Sequence, residues 1–335
     1  MPVLLTMGCT TLNSSSKSEY IGDRDNKTKA CEFSTEDSLW VNEAVSAWHY
    51  TNRTITKVSS LPVFDVVFFD ENCQKTSNDA LIKSGEMTWI TELHHSTVQF
   101  PDGDEMPPIV TSFTSASNEE GGNTFFVMSV PSIWLEGGVK SKIGLPKFMV
   151  PVMLHEATHA IQSSTYGKQI EVLTKKYNLP ESFNDDSVQK VFESNIDFAN
   201  SVHDEIDLLM QAAQSSNDFE ARQLAQTARD MIKARYERWM IDDFDGYREI
   251  DDVFLTMEGS GQWVGYRWLS TVNGGGLTPD EATKEFGLRG KWWSQKLGFA
   301  LFMAIDRLSA NWKNDAFGNG NKSVLTLLDD ALLNN

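Results

Sequence analysis

The sequence predicts an α+β fold in which a mixed α/β half precedes an all-helical half. In the first half, runs rich in β-branched and aromatic residues are separated by turn signals such as Pro107-Pro108 and Gly121-Gly122. We predict strands in these runs, at residues 61–69, 86–100, 109–115 and 124–130. From Gln169 onward the apolar residues recur at helical spacing, and no strand is predicted.

Helix signals set the boundaries of the two halves. Ser34 suits a helix N-cap ahead of an acidic first turn, which predicts a helix over residues 34–52. Thr278-Pro279 suits the start of a short helix. Longer helices are predicted at residues 187–214, 218–241, 247–270, 291–309 and 323–333. We therefore divide the chain into residues 1–33 and one domain at 34–335, with an α/β half (34–167) and a helical half (168–335).

Residues 1–9, MPVLLTMGC, place a short apolar stretch and Gly8-Cys9 just ahead of a polar, serine-rich tract. That tract, residues 10–33, is predicted to be a disordered tether. The pattern resembles the lipobox of bacterial lipoprotein signal peptides, although no Lys or Arg precedes the stretch and Thr6 stands where leucine is usual. The resemblance implies a lipid anchor at Cys9 and an exported protein, periplasmic or at the outer membrane. The alternative is a cytoplasmic protein in which Cys9 is a free thiol.

Charge and hydropathy exclude several classes of partner. The chain has 29 Lys and Arg against 47 Asp and Glu, and its net charge of −18 argues against nucleic-acid binding and against docking on an anionic membrane. No apolar run approaches the roughly 18 residues that a membrane-spanning helix needs. Cys31 and Cys73 are expected to form a disulfide in an oxidising compartment and to be two separate thiols in a reducing one.

One predicted helix carries the residues with the clearest chemistry. Residues 148–167 read FMVPVMLHEATHAIQSSTYG, where Pro151 suits a first helical turn and Gly167 can end the helix. His155 and His159 are four residues apart, so they share a helix face and can present two imidazoles to one metal ion. Glu156 lies beside them and can accept a proton from water. The simpler alternative is a pair of core histidines that are hydrogen-bonded to the backbone.

The pentad HEATH and its apolar flanks resemble the active-site helix of the zincin metallopeptidases. The resemblance implies a catalytic zinc on His155 and His159, Glu156 as the general base, and a cleft between an α/β half and a helical half. The metzincin continuation HExxHxxGxxH is absent, because Gln162 and Thr165 stand where its Gly and His would be. The third zinc ligand is therefore expected elsewhere in the chain.

In the gluzincins the third ligand is a glutamate on a later helix, and Glu258 resembles that residue. Glu258 is the only acidic residue between Val253 and Leu269, and a lone carboxylate in an apolar helix is costly to bury unless it is paired or bound to metal. A Gly-Ser-Gly run follows it, which would let the helix that carries His155 and His159 approach closely; this helix is called the metal helix below. The separation from the HEATH pentad is longer than in compact gluzincins, so we interpret the intervening hairpin as an insertion. The alternative for Glu258 is a carboxylate at the protein surface. Glu249, Asp251 and Asp252 are poorer candidates for the third ligand, because they belong to an acidic cluster that is expected to be solvated.

Other residues are expected near the cleft or away from it. The strand at 124–130 directly precedes the metal helix, a place where many zincins pair an open strand edge with an extended peptide. His94 and His95 point to opposite faces of a strand and are not expected to serve one site, and His203 is expected at the surface. Hydrolysis also needs a donor to the oxyanion, and the candidates that flank Glu258 are Tyr247, Arg248, Tyr266 and Arg267.

These residues together predict a zinc-dependent hydrolase of the gluzincin type, a metallopeptidase acting on a peptide or protein substrate. Zn²⁺ is expected on His155, His159 and Glu258, with Glu156 as the catalytic base and with no transmembrane span. The alternative is an exported binding protein that keeps the zincin fold, holds zinc as a structural element and has no turnover. Glu156 favours the enzyme, because a structural site needs ligands and not a base.

Overall fold

The computed structural model describes residues 5–6, 31–58, 62–79, 81, 88–116, 124–180, 182–317 and 321–333. Its architecture is α+β, as predicted: small sheets precede a long helical part. The strands are β1 (Leu5–Thr6), β2 (Asp65–Phe69), β3 (Cys73–Ser77), β4 (Ile90–Leu93), β5 (Val98–Gln99), β6 (Glu105–Met106), β7 (Ser112–Ala116) and β8 (Thr124–Ser129). The helices are α1 (Thr35–Thr51), α2 (Pro131–Glu136), α3 (Leu145–Gln162), α4 (Lys168–Lys176), α5 (Ser187–Phe192), α6 (Ile196–Gln214), α7 (Asp218–Trp239), α8 (Tyr247–Leu269), α9 (Pro279–Ala282), α10 (Trp293–Leu308), α11 (Lys313–Phe317) and α12 (Val324–Leu333).

The main sheet is mixed, with strand order β7-β8-β2-β3-β4 and the short β1 beside β7. Strands β2 and β8 pair in parallel, and the other pairs are antiparallel. Alternate residues of β2 and β8 enter two different apolar cores, because successive side chains of a strand point to opposite faces. Val66, Phe68, Phe126 and Met128 face the large core that contains α3, whereas Val67, Phe69, Phe125 and Val127 face a smaller core that includes Val98 of β5.

The expectation that residues 124–130 form an open substrate-pairing edge is wrong. β8 lies inside the sheet, paired with β7 on one side and with β2 on the other, so both of its edges are occupied. Its unbroken apolar run is typical of a strand that is buried on both faces, which is a central position. The strand that the structure places against the metal helix at Glu156 is β7, through Thr114.

The first helix and the third strand show what local patterns reveal. Ser34 caps α1 as predicted, since its Oγ accepts a hydrogen bond from the Asp37 backbone N–H at 3.0 Å. Strand β3, with the sequence CQKTS, was not predicted because it is short and polar. It is held by antiparallel pairing on both sides, with β2 and β4.

The metal helix α3 begins and ends differently from the expectation. It begins at Leu145 with Pro146 in its first turn, so Pro151 lies inside the helix, where its ring removes one main-chain donor. Gly144, at φ 90°, supplies the backbone conformation that precedes the helix. Gly167 does not end the helical path either, because at φ −56° it closes a wide π-helical turn and leads directly into α4.

Turns and caps organise the helical half. The predicted helix at 187–214 is two helices, because Asn195 caps α6 by accepting from two backbone N–H groups. The α6–α7 hairpin turns at residues 215–217 as predicted, with Asn217 capping α7. Thr278 and Glu281 form the capping box that begins α9.

The acidic cluster that was expected to be solvated is only partly so. Asp251 is buried and accepts a hydrogen bond from the Tyr236 hydroxyl at 2.8 Å. Burial raises the pKa of Asp252 to about 6, although its carboxylate accepts from the Leu325 backbone N–H. Glu249 is partly exposed and pairs with Lys176 at 3.0 Å. The expectation was wrong for Asp251, which Tyr236 and Arg235 of α7 cover, and only partly right for Asp252, which is half-buried beside Leu325 of α12.

Cys31 and Cys73 form a disulfide that ties the chain ahead of α1 to β3. Replacing Cys73 with serine is expected to lower the free energy of unfolding by about 4 kcal/mol, because the bridge closes a loop of 42 residues. Urea unfolding of C73S beside C9S, which leaves the bridge intact, measures this difference. Equal stability of the two variants would show that the bridge contributes nothing.

The predicted lipid site, Cys9, and residues 10–30 of the predicted tether lie outside the described residues. Within the residues that the structure does describe, no helix combines the length and the apolar character needed to cross a bilayer.

Candidate metal centre

Helix α3 presents two histidines to one point in the interior. Positions four apart lie on one helix face, so the imidazoles of His155 and His159 stand side by side, with their Nε2 atoms 2.8 Å apart. Both side chains are about 1% exposed. Two ring nitrogens at this distance need one proton between them, and a cation bound to both nitrogens would replace that proton.

Helix α8 supplies the third group, Glu258, which was predicted from its isolation in an apolar helix. Its Oε1 lies 3.1 Å from His159 Nε2 and its Oε2 lies 3.3 Å from His155 Nε2. These distances bring one ligand atom of each side chain close enough for the three to share one metal ion. Among the described residues, these three side chains form the one group of His, Cys, Asp and Glu whose ligand atoms all lie within 4.8 Å of one another.

The charges around the centre favour a cation. Burial opposes ionisation of Glu258, but His159 and His155 outweigh it and hold the pKa of the carboxyl well below its usual range. Burial, together with the neighbouring His159, lowers the pKa of His155. For His159 burial acts in the same direction, but the charges of Glu258 and Glu156 outweigh it and raise the pKa. The centre therefore holds one readily displaced proton beside a firmly ionised carboxylate.

Glu156 lies next to the trio without belonging to it. Its side chain is fully buried, and its Oε2 accepts a hydrogen bond of 3.3 Å from the Thr114 hydroxyl on β7. Its Oε1 makes no hydrogen bond of normal geometry within the described part of the chain, although the Ser112 hydroxyl on β7 lies near enough to lower the pKa of the carboxyl. Burial is the main cause that raises the pKa of Glu156 to about 7, against the lowering effect of His159. A carboxyl group with this pKa can accept or return a proton near neutral pH.

No protein-family model, curated protein or solved structure matches this chain.

Small residues let α8 approach both of its neighbours at this level, as the Gly-Ser-Gly run predicted. A Cβ on Gly261 would lie 2.7 Å from His155 Nδ1, so glycine is needed for the imidazole to stand where it does. A Cβ on Gly259 would lie 2.3 Å from the backbone of Gly298 on α10. Ser260 accepts a hydrogen bond of 2.8 Å from the Gln162 amide and so joins α8 to the end of α3.

Replacing Gly261 with alanine is expected to lower metal affinity at least tenfold, because the new methyl group displaces the His155 ring. The matched control is G167A, whose Cβ would meet only ordinary contacts at 3.5 Å in a helical backbone. Metal titration by calorimetry compares the two variants with the parent. A G261A variant that binds metal like G167A would show that the close approach does not position His155.

Three groups at the centre were not found from the sequence. Thr114 hydrogen-bonds both the backbone carbonyl and the side chain of Glu156, and the Gln295 amide donates to Glu258 Oε2 at 3.2 Å. Asp185 is buried close enough for its charge to raise the pKa of His159. Burial and the charge of Glu258 in turn raise the pKa of Asp185 well above its usual range. These residues come from strand β7, from α10 and from the loop before α5, and no local pattern in the sequence marks them.

The four oxyanion candidates on α8 do not reach the centre. Tyr266, the nearest to Glu258 along the helix, is eight residues away, or about 12 Å at 1.5 Å per residue. Its ring packs edge-to-face on Phe299. The other three have contacts of their own: Tyr247 with Phe183, Arg248 with Asp245, and Arg267 with Trp263.

The remaining histidines also lie outside the centre. His94 and His95 lie just after β4, which ends at Leu93, so the prediction that they belong to a strand was wrong. His94 is buried, with its Nε2 2.9 Å from the Asp70 carbonyl oxygen, whereas His95 is exposed, so the two do not serve one site, as expected. His203 is exposed on α6, as expected.

Proposed function

We propose that this protein is a zinc-dependent metallopeptidase of the gluzincin type. The observation that carries the proposal is the three-ligand centre of His155, His159 and Glu258 with the partly protonated Glu156 beside it. Three protein ligands are the usual number for a catalytic zinc, because the fourth position is kept for the reaction, whereas structural sites use four.

The residues present fit a divalent metal on physical grounds. Glu258, Glu156 and Asp185 bring three carboxyl groups to two imidazoles in the interior. No lysine or arginine among the described residues forms an ion pair with any of them. Asp185 and Glu156 have raised pKa values and need little compensation, whereas Glu258 is ionised, and a buried carboxylate without a compensating cation is costly. A metal ion bound between His155, His159 and Glu258 supplies that charge. Imidazole and carboxylate together suit zinc.

Each residue of the centre then has its own role in peptide hydrolysis. Zinc held at such a site supplies Lewis acidity, which makes water more acidic and polarises a carbonyl group. Glu156 accepts the proton of the attacking water on its unpaired Oε1 and passes it to the leaving amine nitrogen. Thr114 keeps the other oxygen of Glu156 in place, and Gln295 orients Glu258.

A peptide substrate is favoured by the strand beside Glu156. β7 runs along α3, and on its outer side it pairs only with β1, at Phe113 and Thr114, among the described residues. An extended peptide that takes this edge would lie along α3 near Glu156. β1 precedes Cys9, so processing at the predicted lipobox would remove it from the edge.

Export is part of the proposal. The Cys31–Cys73 disulfide supports an oxidising compartment, and Gly8-Cys9 supports a lipid-anchored N-terminus. Mass spectrometry of the protein from its own cells is expected to show a lipidated N-terminus at Cys9. An unmodified Met1 on cytosolic protein would contradict export and leave the metal centre unaffected.

The burial of the centre favours a second candidate function, an exported binding protein with structural zinc. All three ligands are 1–3% exposed, which is typical of a structural metal. One experiment separates the two functions: elemental analysis of the purified protein, followed by cleavage of a mixed peptide library with and without a chelator. We expect one zinc per chain and cleavage that stops on chelation and returns with zinc. One tightly held zinc with no cleavage would support the binding protein, and absence of metal would contradict both.

A further inference from the structure

Positive charge is concentrated at the start of α3, in contrast to the acidic chain as a whole. Residues 138–147 and 284–291 hold six of the 29 Lys and Arg residues and one of the 47 Asp and Glu residues. The first segment leads into α3, and the second follows α9. The six basic residues are Lys140, Lys142, Lys147, Lys284, Arg289 and Lys291, and the acidic one is Glu285.

The two segments meet around a surface pocket of about 430 Å³. Four of the six residues that line it are cationic, and the charge of the whole chain, −18, makes such a lining unlike the average surface. The lining residues are Lys140, Ser141, Lys142, Lys284, Glu285 and Arg289.

Glu285 forms loose ion pairs with two of these cations, and its single charge cannot balance all four. It lies 3.9 Å from Lys142 Nζ and 4.0 Å from Arg289 Nη1, distances that are too long for hydrogen bonds. Among the described residues, no carboxylate lies within ion-pair distance of Lys140 or Lys284. One carboxylate against four cations leaves the pocket clearly positive.

The guanidinium of Arg289 is held in place at the pocket wall. It lies 4.7 Å from the centre of the Phe148 ring, and its Nη2 donates a hydrogen bond of 3.4 Å to the Lys140 carbonyl oxygen. A guanidinium positioned by an aromatic ring and a carbonyl group keeps further N–H donors for a ligand. Lys142, which is 89% exposed, can move to meet such a ligand.

We propose that this pocket binds a phosphate-type oxyanion. Its four cations suit a dianion better than a single carboxylate, and one arginine with several lysines is a common way to hold phosphate. The volume exceeds that of one phosphate and lies in the range of small-ligand sites, so it has room for the rest of a larger molecule, either a soluble phosphorylated compound or a phospholipid headgroup.

The site is separate from the metal centre and does not depend on its activity. Lys147 and His155 are eight residues apart on α3, or about 12 Å along the helix axis. The N-terminus of α3 has no side-chain cap, so its partial positive charge adds to that of the pocket. The net negative charge of the whole chain opposes docking on an anionic membrane. The positive charge of this face favours it.

The test measures binding to the full chain of inorganic phosphate, glycerol 3-phosphate, and vesicles of phosphatidylcholine with or without phosphatidylglycerol, all at matched ionic strength. The pocket variant is K140Q/K142Q/R289Q. The matched control is K168Q/K175Q/R238Q, which removes the same charge from exposed sites elsewhere and includes an arginine that also stacks on an aromatic ring, Trp239. The single variant K142Q is a further check, because the Lys142 side chain is almost fully exposed and its replacement is expected to leave folding unchanged.

We expect the parent and the control to bind one of the probes saturably, the pocket variant to bind at least tenfold more weakly, and K142Q to lie between. Binding of glycerol 3-phosphate or phosphate in solution identifies a soluble ligand, and binding to phosphatidylglycerol vesicles alone identifies a lipid headgroup. The proposal is overturned if the parent binds none of the probes, or if the pocket variant and the control weaken equally.

Discussion

Replacing Glu156 with glutamine is expected to lower peptide turnover at least 100-fold while leaving metal content unchanged. Glutamine keeps the shape of the side chain and its contact with Thr114 but cannot accept a proton, and general-base catalysis is typically worth about 100- to 10,000-fold. Because Glu156 is not one of the three ligands, zinc stoichiometry is expected to stay at one per chain.

The stability of this variant is expected to change little. Glu156 is fully buried, with a pKa raised to about 7, so near neutral pH it is already close to half protonated, and a neutral amide suits the same environment. The control is E249Q on the same protein, a carboxylate of α8 that pairs with Lys176 outside the centre. If E156Q cleaves peptides like E249Q, then Glu156 is not the base. If it loses zinc, then Glu156 is a ligand.

The pH profile gives a second readout of the same residue. A base acts in its ionised form, so kcat/KM is expected to rise with pH as Glu156 loses its proton and to level off above its pKa. That pKa is about 7 for the chain alone, and a bound cation nearby lowers it. The ascending limb is therefore expected at or below pH 7 in the parent, and it is expected to be absent from the residual activity of E156Q.

Replacing Glu258 with alanine is expected to reduce zinc affinity more than 100-fold. Removing residues that only support metal ligands typically costs about 10- to 100-fold, and Glu258 is itself within 3.3 Å of both histidine Nε2 atoms. The variant also leaves the Gln295 amide without its acceptor. Calorimetric titration with zinc and elemental analysis measure the loss.

A carboxylate on the same helix provides the matched control for Glu258. Asp251 lies seven residues earlier on α8, is similarly buried, and pairs with Tyr236 and not with the histidines. D251N is expected to lose stability but to keep zinc. Zinc is expected to raise the melting temperature of the parent and of D251N and not that of E258A, because a ligand stabilises only a fold that binds it. If E258A binds zinc as tightly as the parent, the third ligand lies elsewhere.

The separation between prediction and structure is clearest around the metal helix. The i, i+4 spacing of His155 and His159 needs only helical geometry, so it was predictable from five residues. Glu258 was predictable because a single carboxylate in a long apolar helix is costly to bury unless it is paired or bound to metal. The predicted start of α3 was wrong, because Pro146 and Pro151 both suit a first helical turn. In the structure Pro146 lies in the first turn and Pro151 lies inside the helix.

Expectations that depended on contacts between residues far apart in the chain were less accurate. Strand 124–130 has the apolar run of a buried strand, but its partners β7 and β2 lie on either side of it only because β2, some sixty residues earlier, pairs with it in parallel. Asp251 is likewise buried only because Tyr236 and Arg235 of α7 contact it, and Asp252 is half-buried beside Leu325 of α12. An acidic run is solvated unless other elements of the fold cover it. The sequence of the run carries no information about those elements.

The α+β class, the helix that carries His155 and His159, the neighbouring Glu156 and the more distant Glu258 were all predictable from the amino-acid sequence. These are local properties, set by periodicity, by caps and by the cost of burying a charge. The packing of the fold places Thr114, Gln295 and Asp185 around the centre and brings Cys31 to Cys73. It also brings two basic segments about 140 residues apart into one pocket. These are contacts between residues far apart in the chain, and they exist only once the core has brought the elements together.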